Sequence, residues 1–317
     1  MSALITKKRI LVTGARGFLG SYFSKELNKN NYVRVNGLKT FIPLKEVYDY
    51  NLTDFSHCKT ITKDIDYVFH FASKSAVLKS SAGVKNSTLL TNNILVNTNM
   101  INACIENGVR KLFFPSSLCT YPKSRQQKNQ AALKEIDQVP ADPDGYYGWE
   151  KLFTEVMLEA FQKDFGMQIK IIRPESIYGP GENFIGDKAK FIPSMCRKVI
   201  EAKDGGEIEI WGDGTQLRSI CFIEDLFTAA SMLMESDVTG AFNVGSNEPH
   251  TVNEIADMLI KISGKTITKK NLLNEAKSVD VRLTDTSKIK NAIGWEHKTK
   301  LEDGLRMTYN WIKGEMK

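Results

Sequence analysis

Gly14-Ala15-Arg16-Gly17-Phe18-Leu19-Gly20 is the stretch of this sequence that decides the fold. It follows an apolar run, Arg9-Ile10-Leu11-Val12, and leads into a helical pattern through Phe23 and Leu27. Between a strand and a helix, G-x-x-G-x-x-G spacing lets the backbone approach a pyrophosphate and points a helix N-terminus at it. In this position the stretch predicts dinucleotide binding, whereas three such glycines alone would indicate only a turn. The residues expected to contact the nucleotide are Gly14, Arg16, Gly17, Phe18, Leu19 and Gly20.

Strand-like and helix-like patterns alternate through the first half of the chain. This alternation predicts an α/β fold of the Rossmann type, a doubly wound parallel sheet with helices on both faces. Ligands are then expected beyond the carboxyl ends of the strands. The strand patterns are Arg9–Thr13, Tyr32–Asn36, Tyr67–Phe71, Lys111–Ser116 and Gln168–Ile172, and the clearest helical patterns are Leu90–Glu106 and Trp149–Phe165.

The second half is less regular, and glycine and proline interrupt it at Gly179-Pro180-Gly181 and Trp211-Gly212-Asp213-Gly214. We expect residues 1–172 to form mainly the dinucleotide-binding domain. Residues 173–317 are expected to form mainly a smaller C-terminal substrate-binding lobe, with segments that interleave with the sheet domain. Its helical patterns are Phe191–Ala202, Asp225–Met234 and Val252–Ile262.

Composition is that of an ordinary globular chain of 317 residues with a net charge of +6. No apolar run is long enough to span a bilayer, and Met1 to Lys8 hold no apolar signal core, so we expect a cytoplasmic protein. Five cysteines without C-x-x-C spacing and four scattered histidines indicate neither a disulfide framework nor a metal site. The basic stretch Lys123 to Lys134 is explained by a solvated loop, and no nucleic-acid-binding motif is present.

Tyr147 and Lys151 form a Y-x-x-x-K motif at the start of a predicted helix. Spacing of four residues puts both side chains on one helical face, where an ammonium group favours the phenolate. A surface pair of this kind is common. The pattern becomes specific together with Ser117, which ends a predicted strand and carries a hydroxyl that can hydrogen-bond a substrate oxygen.

These three residues, in this setting, resemble the extended, nucleotide-sugar-modifying branch of the short-chain dehydrogenase/reductase superfamily, and the resemblance covers nearly the whole chain. It implies that Tyr147 is the acid/base for hydride transfer at sugar C4 and that Lys151 lowers the pKa of this tyrosine. Further matching segments are His70-Phe71-Ala72-Ser73, Arg173-Pro174-Glu175-Ser176-Ile177-Tyr178-Gly179-Pro180, Phe222-Ile223-Glu224-Asp225 and Gly294-Trp295.

The same resemblance implies two sets of ligand contacts. Phe71, Ala72, Ser73 and Pro174 would contact the nicotinamide cofactor, in addition to Tyr147 and Lys151. Asn183, Arg218 and Arg282 would bind the sugar nucleotide, since guanidinium groups suit the oxygens of a diphosphate.

A sharper resemblance concerns Ser116-Ser117-Leu118-Cys119-Thr120-Tyr121-Pro122, which is similar to a segment shared by GDP-mannose 3,5-epimerases and GDP-L-fucose synthases. Those enzymes use this cysteine and a second residue as a proton-transfer pair on opposite faces of the sugar. The second residue is a lysine in the epimerases and a histidine in the synthases, and here it is Lys190. Oxidation at C4 acidifies the C3 and C5 hydrogens, so a base and an acid can invert those carbons.

The cofactor implied is NAD or NADP, bound without a metal. NAD-using relatives carry an acidic residue after the second strand, whereas Gly37-Leu38-Lys39 follows that strand here. Asn51-Leu52 stands where Asp-Leu is usual, so Leu52 is expected near the adenine. Arg16 and Lys39 could receive the 2′-phosphate of NADP, which favours NADP slightly and leaves the choice open.

These residues and motifs leave four functional hypotheses open. The main one is a nucleotide-sugar 3,5-epimerase, or a relative that acts at one carbon. The alternative is an NADPH-dependent 4-keto-sugar epimerase/reductase of the fucose-synthase type. A simple 4-epimerase would leave Cys119 and Lys190 without a task. A redox-sensing binding protein that has lost catalysis is disfavoured, because Ser117, Tyr147 and Lys151 are all present.

The partners expected are a nucleotide-diphosphate sugar and a second copy of the chain. A GDP-linked sugar follows from the resemblance, although no residue marks the base and Ser176 replaces the usual Asn. Extended family members often dimerise through a four-helix bundle, formed by the helices that contain Leu90–Glu106 and Trp149–Phe165. The apolar residues that would serve this interface, or ordinary core packing, are Leu95, Met100, Ile101, Cys104, Leu152, Phe153, Val156 and Met157.

Overall fold

The computed structural model describes residues 4–37, 44, 46–74, 85–186, 189–273 and 279–317. The strands are β1 (Arg9–Thr13), β2 (Tyr32–Asn36), β3 (Glu46–Tyr48), β4 (Tyr67–His70), β5 (Lys111–Pro115), β6 (Gln168–Pro174), β7 (Ser176–Tyr178), β8 (Glu207–Trp211), β9 (Leu217–Arg218), β10 (Ile220–Phe222), β11 (Gly240–Val244), β12 (His250–Thr251), β13 (Thr268–Leu272) and β14 (Val281–Arg282). The helices are α1 (Phe18–Leu27), α2 (Phe55–Thr62), α3 (Asn86–Glu106), α4 (Gly145–Phe165), α5 (Phe191–Glu201), α6 (Ile223–Glu235), α7 (Val252–Ser263), α8 (Ser287–Ile293) and α9 (Leu301–Glu315).

Seven strands form one parallel sheet in the order β11-β6-β5-β4-β1-β2-β3. The Rossmann-type α/β prediction is confirmed. The order of the strands reverses at β1, which has β2 on one side and β4 on the other. The loops after β1 and β4 therefore diverge and open a crevice at the carboxyl edge of the sheet, where ligands bind in folds of this class.

Alternating side chains of the strands fill two cores, one on each face of the sheet. Ile10 and Val12 of β1 lie in the core that α1 and α6 cover, whereas Leu11 lies in the core covered by α2, α3 and α4. This alternation follows from the two-residue period of a strand. Because both faces are buried, the sheet fixes the positions of the loops at its carboxyl edge.

The second half of the chain contributes both to the large sheet and to a separate layer of elements. β11 adds to the sheet beside β6. Helices α5, α7 and α9 pack on one another, and the short strands pair as β7 with β10, β8 with β13, and β9 between β12 and β14. These short sheets carry the arginines described below.

Helices α3 and α4 pack side by side and divide the predicted apolar residues into two groups. Met100, Ile101 and Cys104 are buried in the core. Leu95 on α3 is exposed, and so are Phe153 and Val156 on α4. Trp149, also on α4, is exposed as well. Leu152 and Met157 are half-buried. Ordinary core packing therefore accounts for Met100, Ile101 and Cys104. The exposed residues form an apolar surface on the outer side of the two helices.

Within the described part of the chain, no helix combines the length and the apolar character needed to cross a membrane.

Candidate active site

The glycine loop packs tightly between β1 and α1. Gly14 has a φ of +68°, and a Cβ atom there would lie 2.7 Å from the main chain of Phe71 and Ala72. A Cβ atom on Gly20 would lie 2.3 Å from the Gly14 carbonyl oxygen. Gly17, the N-cap residue of α1, has no side chain that could cap this helix. The N-terminus of α1 therefore presents main-chain N–H groups at the sheet edge, which fits a dinucleotide pyrophosphate.

Residues after β4 form the adjacent side of the crevice. The Ala72 N–H donates to Thr13 Oγ1 at 3.2 Å, and the Asn93 side-chain amide donates to Ser73 Oγ at 3.1 Å. Phe71 packs on Phe23, with the ring centroids 4.7 Å apart. The other predicted cofactor contacts at this edge are Phe18 and Leu19, which begin α1, and Pro174, which ends β6.

His70 connects this crevice to α3 through a buried chain of hydrogen bonds. Nδ1 lies 2.7 Å from Thr13 Oγ1, and Nε2 lies 3.0 Å from Asn97 Oδ1. Burial lowers the pKa of His70 to about 4, although the hydrogen bond to Asn97 opposes this. The ring is therefore neutral at physiological pH. It donates to the Asn97 oxygen and accepts from the threonine hydroxyl, which in turn accepts from the main chain of Ala72.

The end of β2, where dinucleotide-binding folds of this class contact the adenosine ribose, carries Asn36. Its amide donates to the Tyr50 carbonyl at 3.1 Å and accepts from the Tyr50 N–H at 2.9 Å. Both polar atoms of this side chain thus hold the main chain after β3. Arg16 of the glycine loop forms an exposed ion pair of 3.0 Å with Asp49. Of the two other predicted contacts, Leu52 is buried after β3 and Lys39 lies outside the described residues.

Tyr147 and Lys151 lie on α4, which begins at Gly145 and so starts earlier than the predicted Trp149. Lys151 is buried, with Nζ 4.4 Å from the centre of the Phe114 ring and 5.6 Å from that of Tyr147. Burial lowers the pKa of Lys151. The pKa of the Tyr147 phenol is raised rather than lowered, because burial, Cys119 and Glu150 all oppose the phenolate. Tyr147 therefore carries its proton at physiological pH and can donate it.

Glu150, between these two residues, is fully buried in a polar network that was not predicted from the sequence. Oε1 accepts from the Asn97 amide at 2.8 Å, and Oε2 accepts from the Asn93 amide at 3.3 Å. Thr154 Oγ1 also lies 3.2 Å from Oε1. Polar residues four apart on α3 and α4, Asn93 with Asn97 and Glu150 with Thr154, are the signal that could have found it.

Ser117 and Cys119 lie in a tight 3-10 turn, Leu118–Thr120, that follows β5. Ser117 Oγ accepts from the Cys119 N–H at 3.1 Å, and its own O–H remains able to donate. The Cys119 carbonyl accepts from the Asp144 N–H at 2.7 Å. A Cβ atom on Gly148 would lie 2.2 Å from that carbonyl oxygen. The first turn of α4 is thus seated directly on the turn that carries the half-buried Cys119 thiol.

Arg218 and Arg282 are register partners on the neighbouring strands β9 and β14. Arg282 donates to Cys119 Sγ at 3.6 Å and to Asp144 Oδ2 at 3.0 Å. Arg218 donates to the carbonyls of Leu217 at 2.7 Å and Val279 at 2.9 Å. Burial and the charge of Arg282 lower the pKa of Arg218 to about 10. Two adjacent, partly desolvated guanidinium groups form a site suited to an anion with several oxygens.

Lys190 and Asn183 lie on the loop between β7 and α5. Lys190 is the residue before α5, its side chain is 57% exposed, and its Nζ lies 3.3 Å from Oε1 of the buried Glu182. The exposed Asn183 amide donates to the Ile185 carbonyl at 3.0 Å, so it caps its own loop. Among the described residues, no hydrogen bond or ion pair joins Lys190 to Cys119. These contacts thus bring together Tyr147, Lys151, Cys119 and Arg282, whereas Lys190 contacts Glu182 instead.

Asp144 and Glu182 were not predicted either. Asp144 precedes α4 and pairs with Arg282, and an acidic residue before a helix is a signal that the sequence does carry. Glu182 carries no such signal, since a carboxylate next to Gly181 in an irregular segment is ordinarily solvated. Within the described residues, no group of three or more His, Cys, Asp or Glu side chains could hold a metal ion.

The sequence pattern of the NAD dependent epimerase/dehydratase family matches residues 10–245. The chain is 33% identical over 317 residues to GDP-mannose 3,5-epimerase 1 of Oryza sativa subsp. indica, a match that covers 98% of this chain and 83% of that protein. It is 27% identical to GDP-L-fucose synthase of Escherichia coli (strain K12), with 97% of both chains covered.

Among solved structures, the chain is similar to a UDP-N-acetylglucosamine 4-epimerase from Methanobrevibacter ruminantium M1 in complex with UDP-N-acetylmuramic acid. The TM-score is 0.88 at 26% identity, and the match covers 98% of this chain and 100% of that chain. It is also similar to a UDP-glucose 4-epimerase from Thermotoga maritima with UDP-glucose, with a TM-score of 0.86 at 26% identity and the same coverage of both chains.

Proposed function

Because this chain belongs to the NAD dependent epimerase/dehydratase family, we propose that it is a nucleotide-sugar epimerase of the GDP-mannose 3,5-epimerase kind. It acts by transient oxidation of the sugar at C4 and by proton transfer at C3 and C5. The observation that carries this proposal is the placement of the half-buried Cys119. Its carbonyl packs on Gly148 in the helix of Tyr147, and its thiol accepts from the guanidinium of Arg282. A 4-epimerase needs no thiol at that position.

The cofactor fits at the carboxyl edge of the sheet. The N-terminus of α1, which starts after a glycine, and the close approach of Gly14 to Phe71 and Ala72 support binding of the pyrophosphate there. A nicotinamide cofactor bound at this edge would supply reversible hydride transfer at sugar C4. Tyr147 takes up the proton of the C4 hydroxyl and later gives it back. A cation on Lys151 beside Tyr147 favours the phenolate during this exchange, against the effect of burial.

The ketone at C4 makes the C3 and C5 hydrogens acidic, and proton transfer then falls to Cys119 and Lys190. One group removes the hydrogen from one face of the sugar ring, and the other delivers a proton to the opposite face. Arg282 and Arg218 bind the diphosphate, which is consistent with their paired positive charge. Because Arg282 also contacts Cys119, diphosphate binding and positioning of the thiol are linked.

Isotope exchange tests the proposal. The protein is incubated with GDP-mannose, and with UDP- and dTDP-linked hexoses, in heavy water, and the products are analysed by mass spectrometry and NMR. We expect deuterium at C3, C5 or both, with no net change in cofactor. Cys119→Ser should lose this exchange and still oxidise C4 reversibly. Absence of deuterium at both carbons for every sugar would refute the proposal.

A reductase of the GDP-L-fucose synthase kind is a second candidate. The residues at the end of β2 and in the glycine loop, where the nucleotide would bind, support it. Asn36 replaces the acidic residue typical of NAD users, and Arg16 lies at the glycine loop beside Asp49. A guanidinium group there suits the 2′-phosphate of NADP. Stoichiometric consumption of NADPH on addition of a 4-keto-6-deoxy sugar nucleotide would favour this candidate over the epimerase.

The exposed apolar surface of α3 and α4 supports a homodimer through a four-helix bundle. Trp149, Phe153 and Val156 are spaced by four and three residues on α4, and each is about half exposed, with Leu95 on α3. A second copy of the same surface would bury all four side chains.

A further inference from the structure

Glu182 is a buried carboxylate that the proposed chemistry has not yet used. It lies between β7 and α5, and only 4% of the residue is exposed. Neither Oε1 nor Oε2 of this carboxylate accepts a hydrogen bond from a described residue. A charged group is seldom buried without several donors, because desolvation of the anion is costly. The position of this carboxylate therefore requires an explanation.

Within the described part of the chain, two titratable groups face Glu182. The Nζ atom of Lys190 lies 3.3 Å from Oε1, at the start of α5. The buried thiol of Cys196, one turn and a half further along α5, is close enough for its pKa to be raised by the Glu182 charge, in addition to burial. The ammonium group of Lys190 is thus the cation that balances this carboxylate.

Burial raises the pKa of Glu182 to about 7, and the charge of Lys190 limits this rise. The carboxyl group is therefore present in both protonation states near neutral pH. A lysine by itself holds its proton too firmly to act as a base at that pH. A partner that can take the proton or return it removes this difficulty.

We propose that Glu182 is the positioning residue of Lys190, which holds Nζ at the substrate pocket and exchanges a proton with it through Oε1. This inference rests on the proposed function, because it assigns Lys190 to proton transfer. When Lys190 acts as an acid, an Nζ–H bond breaks and a C–H bond forms on the sugar. The Oε1–H bond of Glu182 then breaks, and its proton restores the ammonium group and leaves a carboxylate. When Lys190 acts as a base, the same steps run in reverse: Nζ first gives a proton to Oε1 and then takes one from the sugar carbon. Only protons move in either direction, so no group is oxidised or reduced.

Three variants test the proposal. Glu182→Gln keeps the size of the side chain and removes the exchangeable proton, and Glu182→Asp keeps the carboxyl group one methylene shorter. Glu201→Gln is the matched control, since it removes an exposed carboxylate on α5 that pairs with Arg197 at 3.3 Å. Deuterium exchange at C3 and C5 of the sugar, measured over pH 5–9, gives kcat and KM for each protein.

We expect Glu182→Gln to lower kcat about 10- to 100-fold with little change in KM, which is no more than the smallest contribution typical of a general acid, because Lys190 itself remains. The limb of the pH profile near pH 7 should disappear, Glu182→Asp should recover part of the rate, and Glu201→Gln should match the parent protein. A purely structural role would change stability without removing the pH limb. Parent kcat and an intact pH profile in Glu182→Gln would overturn the proposal.

A second measurement does not depend on turnover. The pKa of Glu182 is followed by carbon-13 NMR of the carboxyl group in the parent protein and in Lys190→Met. We expect the pKa to rise in Lys190→Met, because the neighbouring cation is gone. An unchanged titration curve would overturn the Glu182–Lys190 link. If the parent protein exchanges no deuterium with any sugar, the proposed function fails, and this titration alone decides whether the link stands.

Discussion

The Nη1 atom of Arg282 lies 3.6 Å from the Sγ atom of Cys119, while Nη2 of the same guanidinium binds Asp144 at 3.0 Å. One side chain from β14 thus contacts the turn after β5 and the residue that precedes α4. Residues 163 positions apart in the sequence meet at this point. The planar fork of an arginine is needed for the two contacts at once.

Arg282→Lys should therefore retain the charge and still impair the enzyme. A lysine ammonium group cannot contact the thiol and the carboxylate in this geometry. We expect kcat/KM for deuterium exchange to fall at least about 30-fold in Arg282→Ala, with partial recovery in Arg282→Lys. Arg306→Gln, which removes an exposed arginine of α9, is the control and should leave both constants unchanged. Full activity in Arg282→Ala would contradict this role.

Gly148→Ala should destabilise the protein, because the new methyl group would lie 2.2 Å from the Cys119 carbonyl oxygen. Main-chain atoms cannot move aside as a flexible side chain can, so α4 must shift. We expect a loss of about 1–3 kcal/mol in the free energy of unfolding, measured with urea. Gly314→Ala in α9 meets no atom within 4 Å and should be neutral or stabilising. Equal stabilities for the two variants would show that the contact is absent.

His70 should make the protein less stable in mild acid. Its pKa is about 4 in the folded protein and 6.5 in the unfolded chain, so above pH 6.5 the ring is neutral in both states. As the pH falls towards 4, the unfolded chain binds a proton that the folded protein resists. The free energy of unfolding should drop by up to about 3 kcal/mol over this range. Urea titrations at pH 7 and pH 4 measure this fall in the parent protein and in His70→Gln. The fall in the free energy of unfolding should be smaller in His70→Gln by that amount. Identical falls in the two proteins would refute this role of His70.

Arg16→Ala should weaken binding of NADPH about 10-fold and change that of NADH little, because a charge-assisted hydrogen bond to the 2′-phosphate is lost. Asp49→Asn should act in the opposite direction, since it releases Arg16 from its ion pair. Fluorescence titration with the two reduced cofactors measures both effects. An equal change in NADPH and NADH affinity in Arg16→Ala would indicate contact with the common pyrophosphate instead.

Phe153→Glu should convert the expected dimer into a monomer. The substitution introduces a charge into the exposed apolar surface formed with Trp149 and Val156, where the interface would desolvate it. Sedimentation equilibrium of the two proteins measures the change in mass. Phe165→Glu, at the exposed end of the same helix, is the comparison, with little effect expected. A parent protein that is already monomeric at high concentration would exclude this interface.

Much of the central sheet could be predicted, because buried parallel strands are continuous apolar runs. β1 and β2 have the predicted bounds, and β4, β5 and β6 differ only at their ends. β3 was missed because Glu46-Val47-Tyr48 is too short and too polar to stand out. It forms only through pairing with β2, where Glu46 stands opposite Arg34 and the two side chains form an ion pair. Pairing of this kind joins residues that the sequence separates.

In the candidate site, too, local sequence patterns predict some features, whereas others depend on contacts between distant segments. Tyr147 and Lys151 follow from helical spacing, and the glycine loop follows from its position after a strand. The sequence could not indicate that Glu182 would be buried beside Lys190, or that Arg282 would reach Cys119, because both contacts depend on how distant segments pack. The pKa of Tyr147 was expected to be lowered and is raised, since burial, Cys119 and Glu150 all oppose the phenolate.

The contact between Gly148 and the Cys119 carbonyl has a consequence for protein engineering. The spacing between the first turn of α4 and the main chain of residue 119 is set by contacts between main-chain atoms, so it does not depend on which side chain position 119 carries. Other side chains can therefore be placed at position 119 while its main chain stays where it is. A designer could install an imidazole, a carboxylate or a selenol there and compare their reactivities at constant main-chain geometry.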